Sequence, residues 1–308
     1  MIAADVFHAF LYGSDWILWS VFWLLVLGLF LIAWRAGHWA GWKKYLRWFA
    51  VCILIILGYA RLVEPRLLTV KTYKMPLIPQ PKTWVKAVFL FDAHAGRDKG
   101  PGFYRRVAER VGSLEPDVIF VGGDFVDQDS ADMGDLRSWA DMTAPLGKYF
   151  VLGNHDYYGD PQAVRSYAQT ILGMTDVTNA ILNIKKDDRS FTLIGLDDAK
   201  MGTPDLALVN DPAAKRPRVI FSHQPDILLS LPSGVAEGAM FGHTHGGQVR
   251  LPWIGSLAIL PQRAPQWLDR GWKYWRGTPL VISQGLGEAT APLRLFDPPQ
   301  IMVVEIGI

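Results

Sequence analysis

The run Val85-Lys86-Ala87-Val88-Phe89-Leu90-Phe91-Asp92-Ala93-His94 decides the fold class. Up to Phe91 it is almost continuously apolar and β-favouring, the pattern of a strand buried on both faces rather than of a half-exposed one. It ends on Asp92 and His94, spaced i and i+2. In extended backbone such residues share a face, so both side chains can reach one ion. The construction recurs downstream as Gly123-Asp124, Gly153-Asn154-His155-Asp156, Ser222-His223 and Gly242-His243-Thr244-His245, each after an apolar run. Ligand-type residues therefore gather at the carboxyl ends of strands, where sites in open α/β sheets form. Taken singly, an Asp-x-His or a Gly-Asp is commonplace. The ordered set supplies enough oxygen and imidazole donors for a pair of divalent ions and points to a two-metal hydrolase.

Outward from these motifs the chain alternates strand and helix patterns. Strands are expected at 85–91, 117–121 and 149–152, with helices at 103–114, 136–142 and 161–172. This rhythm implies parallel strands with crossover helices. The second half is strand-rich. A hairpin is expected from 181–184 and 191–196, with further strands at 218–221, 239–241, 248–251, 280–283 and 301–306. A mixed second sheet packed on the first satisfies that pattern.

Half of the 308 residues are hydrophobic and 13 are Trp, an excess concentrated in the first 63 positions. Residues 16–34 are apolar apart from Ser20 and Gly28, long enough to cross a bilayer, with Trp16, Trp19 and Trp34 near the ends as interfacial anchors. The stretch lacks the basic start and short apolar core of a cleaved signal peptide. A second span is expected at 46–63 if Arg47 and Arg61 snorkel outward. Arg35, Lys43, Lys44 and Arg47 between the spans place that link in the cytoplasm and the rest of the chain outside, although Arg61, Arg66, Lys71 and Lys74 pull the other way. The reading is multi-pass anchoring in the cell membrane by residues 1–63, a Pro-rich linker at 64–83 and a catalytic domain at 84–308. A net charge of +2 gives no electrostatic support for a nucleic-acid partner, and the single cysteine, Cys52, excludes an intrachain disulfide.

The motifs FDAH (91–94), GGDFVD (122–127), GNHD (153–156), FSHQPD (221–226) and FGHTH (241–245) resemble those of the calcineurin-like metallophosphoesterases. The likeness covers roughly residues 84–308 and looks closest to a bacterial membrane-associated branch, through GHTHGGQVRLP from Gly242 and SQGLGEATAPLRLFDPPQI from Ser283. It implies a two-sheet sandwich flanked by helices (α/β/β/α). It also implies a dinuclear centre of Mn²⁺, with Fe, Zn or Mg as alternatives. Asp92, His94 and His245 would hold one ion, Asn154, His223 and His243 the other, and Asp124 would bridge. His155 would stabilise the transition state or protonate the leaving oxygen. Asp127 or Asp156 would orient a histidine. Phe91 stands where the branch usually has Ser, which implies altered packing beneath the site rather than a lost ion.

Arg294 is a candidate donor to a substrate phosphate, against a surface or ion-pair role. Trp253, Trp267, Trp272 and Trp275, interspersed with Arg263, Arg270, Lys273 and Arg276, suit either a membrane interface or a packed hairpin with a basic face. The function expected is hydrolysis of an amphiphilic or lipid-linked phosphate ester. The alternatives are a pyrophosphatase acting on a nucleotide-linked lipid, such as a UDP-acylated sugar, and an inactive scaffold with the same fold.

Overall fold

The structure, a computed structural model, describes residues 15–35, 41, 43–289 and 291–308. Helix α1 covers Asp15–Arg35, over the first expected span, and α2 covers Lys43–Gly58. The side chains of residues 15–22 lie outside those described. After α2 the chain continues through a π turn at Tyr59–Val63 and a 3-10 turn at Glu64–Arg66. The resulting segment, Tyr45–Arg66, has a mean hydropathy of 1.9 and is the one helix among the described residues long and apolar enough to cross a membrane. The expectation of two spans is corrected to that extent. The second apolar run, short in sequence, gains its length from the added turns.

Its end is tied to the globular part. Glu64 is buried and its Oε1 accepts from Asp297 N at 2.5 Å. Ala60 O accepts from Arg294 N at 2.9 Å, and Arg61 donates to Asp98 Oδ1 at 2.8 Å. Residues 64–83, expected as a linker, contain strand β1 (Thr69–Pro76). It pairs in parallel with β14 (Gln300–Gly307) from Thr69↔Gln300 to Pro76↔Gly307. Pro65, Pro79 and Pro81 lie outside this strand and Pro76 closes it, as an edge position allows.

The first sheet runs β1, β14, β2 (Trp84–Leu90), β3 (Val118–Gly122), β4 (Lys148–Val151), β5 (Thr175–Asp176). β2, β3 and β4 are parallel, as the alternation required, and β14 joins antiparallel. α3 (Pro101–Ser113) and α4 (Pro161–Thr170) cover its outer face. Each opens on a proline at a position where a missing N–H costs nothing. Asp160 also caps α4, its Oδ1 accepting from Gln162 N and Ala163 N. The helix expected at 136–142 is a 3-10 segment, Ser130–Asp141.

The second sheet runs β12 (Gly271–Trp275), β13 (Thr278–Ile282), β9 (Gly238–Phe241), β8 (Arg218–Phe221), β7 (Arg189–Gly195), β6 (Ala180–Lys186). A short hairpin, β10 (Arg250–Leu251) and β11 (Gly255–Ser256), stands apart from both sheets. Phe89, Phe120, Phe221, Met240, Val281 and Val304 fill the space between the sheets. The outer face of the second sheet departs from the expected α/β/β/α sandwich. Among the described residues its cover is 3-10 turns, Leu206–Asn210 and Pro225–Leu229, with Ala264 and Leu268. Pro204, Pro212, Pro217, Pro225 and Pro232 interrupt the crossovers there, and proline breaks a helix interior.

Candidate metal centre

The carboxyl ends of β2, β3, β4, β8 and β9 meet at one point, and each is followed by one of the five motifs. Asp92, His94, Asp124, His243 and His245 all have positive φ, at 55°, 47°, 52°, 68° and 48°. Non-glycine residues enter this region at a cost of order 1–3 kcal/mol each, and such strain gathers at functional sites. Here it turns each side chain off its strand and inward. Gly153 lets two turns touch: a Cβ there would fall 2.3 Å from Asp124 Oδ1.

Buried ligand atoms converge in two groups, Asp92 with His94 and His245, and Asp124 with His223 and His243. His94 Nε2 lies 3.1 Å from His245 Nε2, and His243 Nδ1 lies 3.3 Å from His223 Nε2. The remaining nitrogen of each ring is engaged by an oxygen that only accepts. His94 Nδ1 is 3.1 Å from Asp127 Oδ1 and His245 Nδ1 is 3.0 Å from Gly287 O. His223 Nδ1 is 2.7 Å from Gly122 O and His243 Nε2 is 3.3 Å from Pro261 O. Those nitrogens carry the ring hydrogens, so a neutral ring presents its lone pair inward. Facing lone pairs beside carboxylates repel unless a cation lies among them, and this donor set fits divalent ions.

The electrostatics agree. Burial, helped by neighbouring imidazoles, lowers the pKa of His94 and His245. Burial and His223 push His243 down to about 3. His223 is the exception: burial lowers it, but Asp124 and Asp92 together raise it to about 10. Its Nε2 lies 3.2 Å from Asp124 Oδ2, so the upward push comes from carboxylate charge that a dication would neutralise instead. Burial and Asp124 raise Asp92 to about 7.

Asn154 is held through both ends of its amide. Gln224 Nε2 donates to its Oδ1 at 2.9 Å, and its Nδ2 donates to the Tyr158 hydroxyl at 3.4 Å. His155 lies at the edge of the centre, its ring 4.6 Å from that of His94, with Nδ1 donating to Asp127 O at 2.7 Å. Asp124 Oδ1 accepts from His155 N at 2.8 Å. Despite burial, Asp124 and Asp127 raise the pKa of His155.

The supporting residues sort differently from expectation. Asp127 does orient His94. Asp156 orients no histidine: its carboxylate accepts from the backbone N–H groups of Asp124, Gly153 and Phe125 at 2.9, 2.9 and 2.8 Å and ties two motif turns together. Arg294 takes the ion-pair role, in the interior rather than at the surface. It is fully buried, with Nε on Glu288 at 2.9 Å and its other nitrogens on Asp297 O and Gln284 O at 2.8 and 3.0 Å, so it braces the loop that supplies Gly287 O. Phe91 packs beneath the centre. Its ring occupies the space where a Cβ on Gly122 or Gly242 would lie, 1.9 and 2.5 Å from ring atoms, and meets Phe221 edge-on at 5.9 Å. Gln224 was not anticipated, although it directly follows His223. The carbonyls of Gly122, Pro261 and Gly287 leave no mark in sequence at all.

A hollow of about 150 Å³, mostly apolar, opens beside His243 and His245 and is walled by Ile259, Leu260, Pro261 and Ala291.

The family pattern of calcineurin-like phosphoesterases matches residues 88–247. The chain is 30% identical over 256 residues to the uncharacterized metallophosphoesterase YkuE of Bacillus subtilis, covering 80% of this chain and 88% of that one. It is 27% identical to a zebrafish (Danio rerio) transmembrane protein with metallophosphoesterase domain, over 79% of this chain and 58% of the relative. Among solved structures, the NAD nucleotidase of Haemophilus influenzae aligns with a TM-score of 0.43 at 13% identity, over 68% of this chain and 51% of that one. At that distance nothing about substrate follows.

Proposed function

The chain belongs to the calcineurin-like phosphoesterase family and is a metal-dependent phosphoric ester hydrolase, and on that premise we propose a dinuclear phosphodiesterase held at a membrane. In this reading Asp92, His94 and His245 hold one ion, Asn154, His223 and His243 the other, and Asp124 serves both. The observation that carries it is the pair of facing imidazole contacts, 3.1 and 3.3 Å, with the outer nitrogen of every ring already engaged. When bound, the ions supply an activated water and neutralise phosphoryl charge. Carboxylate, amide and imidazole donors together suit Mn²⁺ first, then Fe, Zn or Mg.

The protein's own part is positional. Asp127 and the three carbonyls fix ring orientation, and Gln224 fixes the Asn154 amide. The Nδ1 of His155 donates to Asp127 O, which fixes the ring, and Nε2 would hold or deliver a proton at the leaving oxygen.

Membrane association rests on the apolar helix Tyr45–Arg66 and accords with relatives named as transmembrane proteins. We read the catalytic domain as extracytoplasmic, on the basic residues Arg35, Lys43, Lys44 and Arg47 that lie before or at the start of that helix. An anchor raises the local concentration of a lipid headgroup and does little for a soluble metabolite, so the substrate proposed is an amphiphilic phosphate ester or lipid-linked diphosphate. Products distinguish diester from pyrophosphate cleavage.

The test uses purified full-length protein, stripped and reloaded with Mn²⁺, with metal counted by elemental analysis and turnover followed on bis(p-nitrophenyl) phosphate. Activity should vanish with chelator, and Asp124→Asn should lose both activity and metal. Full activity in either case overturns the assignment.

A further inference from the structure

The hairpin β10–β11 and the residues after it expose large apolar side chains that nothing in the described chain covers. Trp253 is 103% exposed, Ile254 70%, Leu257 55% and Ile259 90%. Trp253 has φ 67°, a conformation costly for a bulky residue, and it holds the indole out from the hairpin tip. From Arg250 to Leu268 there is no acidic residue, and Arg263 is exposed. A tip of Trp and Ile with a basic flank has the composition of an element that sits at a lipid surface.

Its position agrees. The hairpin is laced to the segment around Leu295: Arg250 N donates to Leu295 O at 2.9 Å, and Leu295 N donates to Gln248 O at 2.8 Å. The same segment carries Arg294 and Asp297, whose N–H groups bond Ala60 O and Glu64 Oε1 at the end of the apolar helix. Helix end, segment and hairpin thus form one hydrogen-bonded unit. Phe296, 55% exposed, shares a hollow with Trp253 and Ile254, and Leu62 and Val63 on the helix are 59% and 44% exposed.

We propose that residues 252–259 insert into the lipid surface that the helix Tyr45–Arg66 enters, so that the apolar hollow beside the metal ligands opens at headgroup level. The inference rests on the membrane reading of that helix. It goes beyond tethering, because Ile259, at the end of the inserted loop, also walls the hollow, and Pro261 O holds the His243 ring. An ester would then enter with its apolar part still in lipid and its phosphate facing the imidazoles. The occupant is a bilayer rather than a second copy of the chain, because the hairpin is hydrogen-bonded through the 294–297 segment to the end of the membrane helix, and the exposed Arg263 follows the apolar tip.

The full-length protein is reconstituted in phosphatidylcholine–phosphatidylglycerol vesicles and labelled with an environment-sensitive fluorophore. The native Cys52, exposed on the helix, reports on the helix itself. In a Cys52→Ser background, Trp253→Cys reports on the tip, Ile259→Cys repeats that measurement with Trp253 intact, and Asp188→Cys, on an 83%-exposed side chain of the β6–β7 turn, is the aqueous control. Lipids brominated along the acyl chain should quench the label at 52, and lipids brominated near the headgroup those at 253 and 259, each about twofold, and neither should affect that at 188. Quenching at 52 without quenching at 253 and 259 overturns this inference and leaves the anchor standing. No quenching at 52 overturns the membrane reading and this inference with it. A label at 253 that responds to protein density and not to bromine marks a contact between copies, and also overturns it.

Discussion

Asp156→Ala removes a buried carboxylate that ties the Gly123-Asp124 turn to the Gly153-Asn154 turn. Three buried N–H groups, those of Asp124, Gly153 and Phe125, lose acceptors at 2.9, 2.9 and 2.8 Å, and that of Val126 loses a longer one at 3.4 Å. A buried donor left unsatisfied costs about 1–3 kcal/mol. Some entering water offsets this, so the expected loss is about 3–5 kcal/mol rather than the full sum. For a domain of this size that corresponds to an apparent Tm lower by about 6–20 °C. The comparison is made with chelator present, so that lost metal does not add to the difference. The same variant, metal-loaded, should bind its ions more weakly, because Asp124 and Asn154 both ride on the loosened turns. Asp156→Asn retains one acceptor oxygen and should fall between the two. If Asp156→Ala melts within about 2 °C of the unaltered chelated protein, the carboxylate is not the brace described here.

His155→Ala should keep both ions while turnover falls about 10²- to 10⁴-fold, measured as metal content beside turnover; loss of an ion would instead make His155 a ligand. Asp127→Asn disturbs the partner of His94 Nδ1 at 3.1 Å and should weaken metal binding about 10- to 100-fold in a calorimetric titration, while unchanged affinity would remove Asp127 from the supporting set. Gly122→Ala drives a methyl to 1.9 Å from the Phe91 ring and should cost about 1–3 kcal/mol by denaturant titration. In a Phe91→Ser background that cost should largely disappear, and additivity within about 0.5 kcal/mol would show that the two sites do not touch.

Much of the centre was legible because each motif sits at its own strand end, next to the apolar run that announces it. FDAH, GNHD and FGHTH are local patterns, and burial on both faces makes β2, β3 and β9 nearly continuous apolar runs, so strand and ligand are read together. The edge strand β1 was hidden by Pro76, Pro79 and Pro81. Its partner β14 lies more than 200 positions away, and no local pattern records that pairing. Arg294 was half legible for a related reason: its ion-pair reading holds, but the partner Glu288 and the carbonyls of Gln284 and Gly287 that bury it are assembled only by the fold.

Sequence alone therefore determined the donor chemistry, the order of the motifs and the family to which they belong. Tertiary structure alone decided which nitrogen of each imidazole faces inward. Every residue has a carbonyl, and only the path of the chain selects Gly122, Pro261 and Gly287 as the ones that turn His223, His243 and His245. It also decided that the apolar helix ends on the loop bracing the site, because Ala60 O and Glu64 acquire their partners, Arg294 and Asp297, from the far end of the chain.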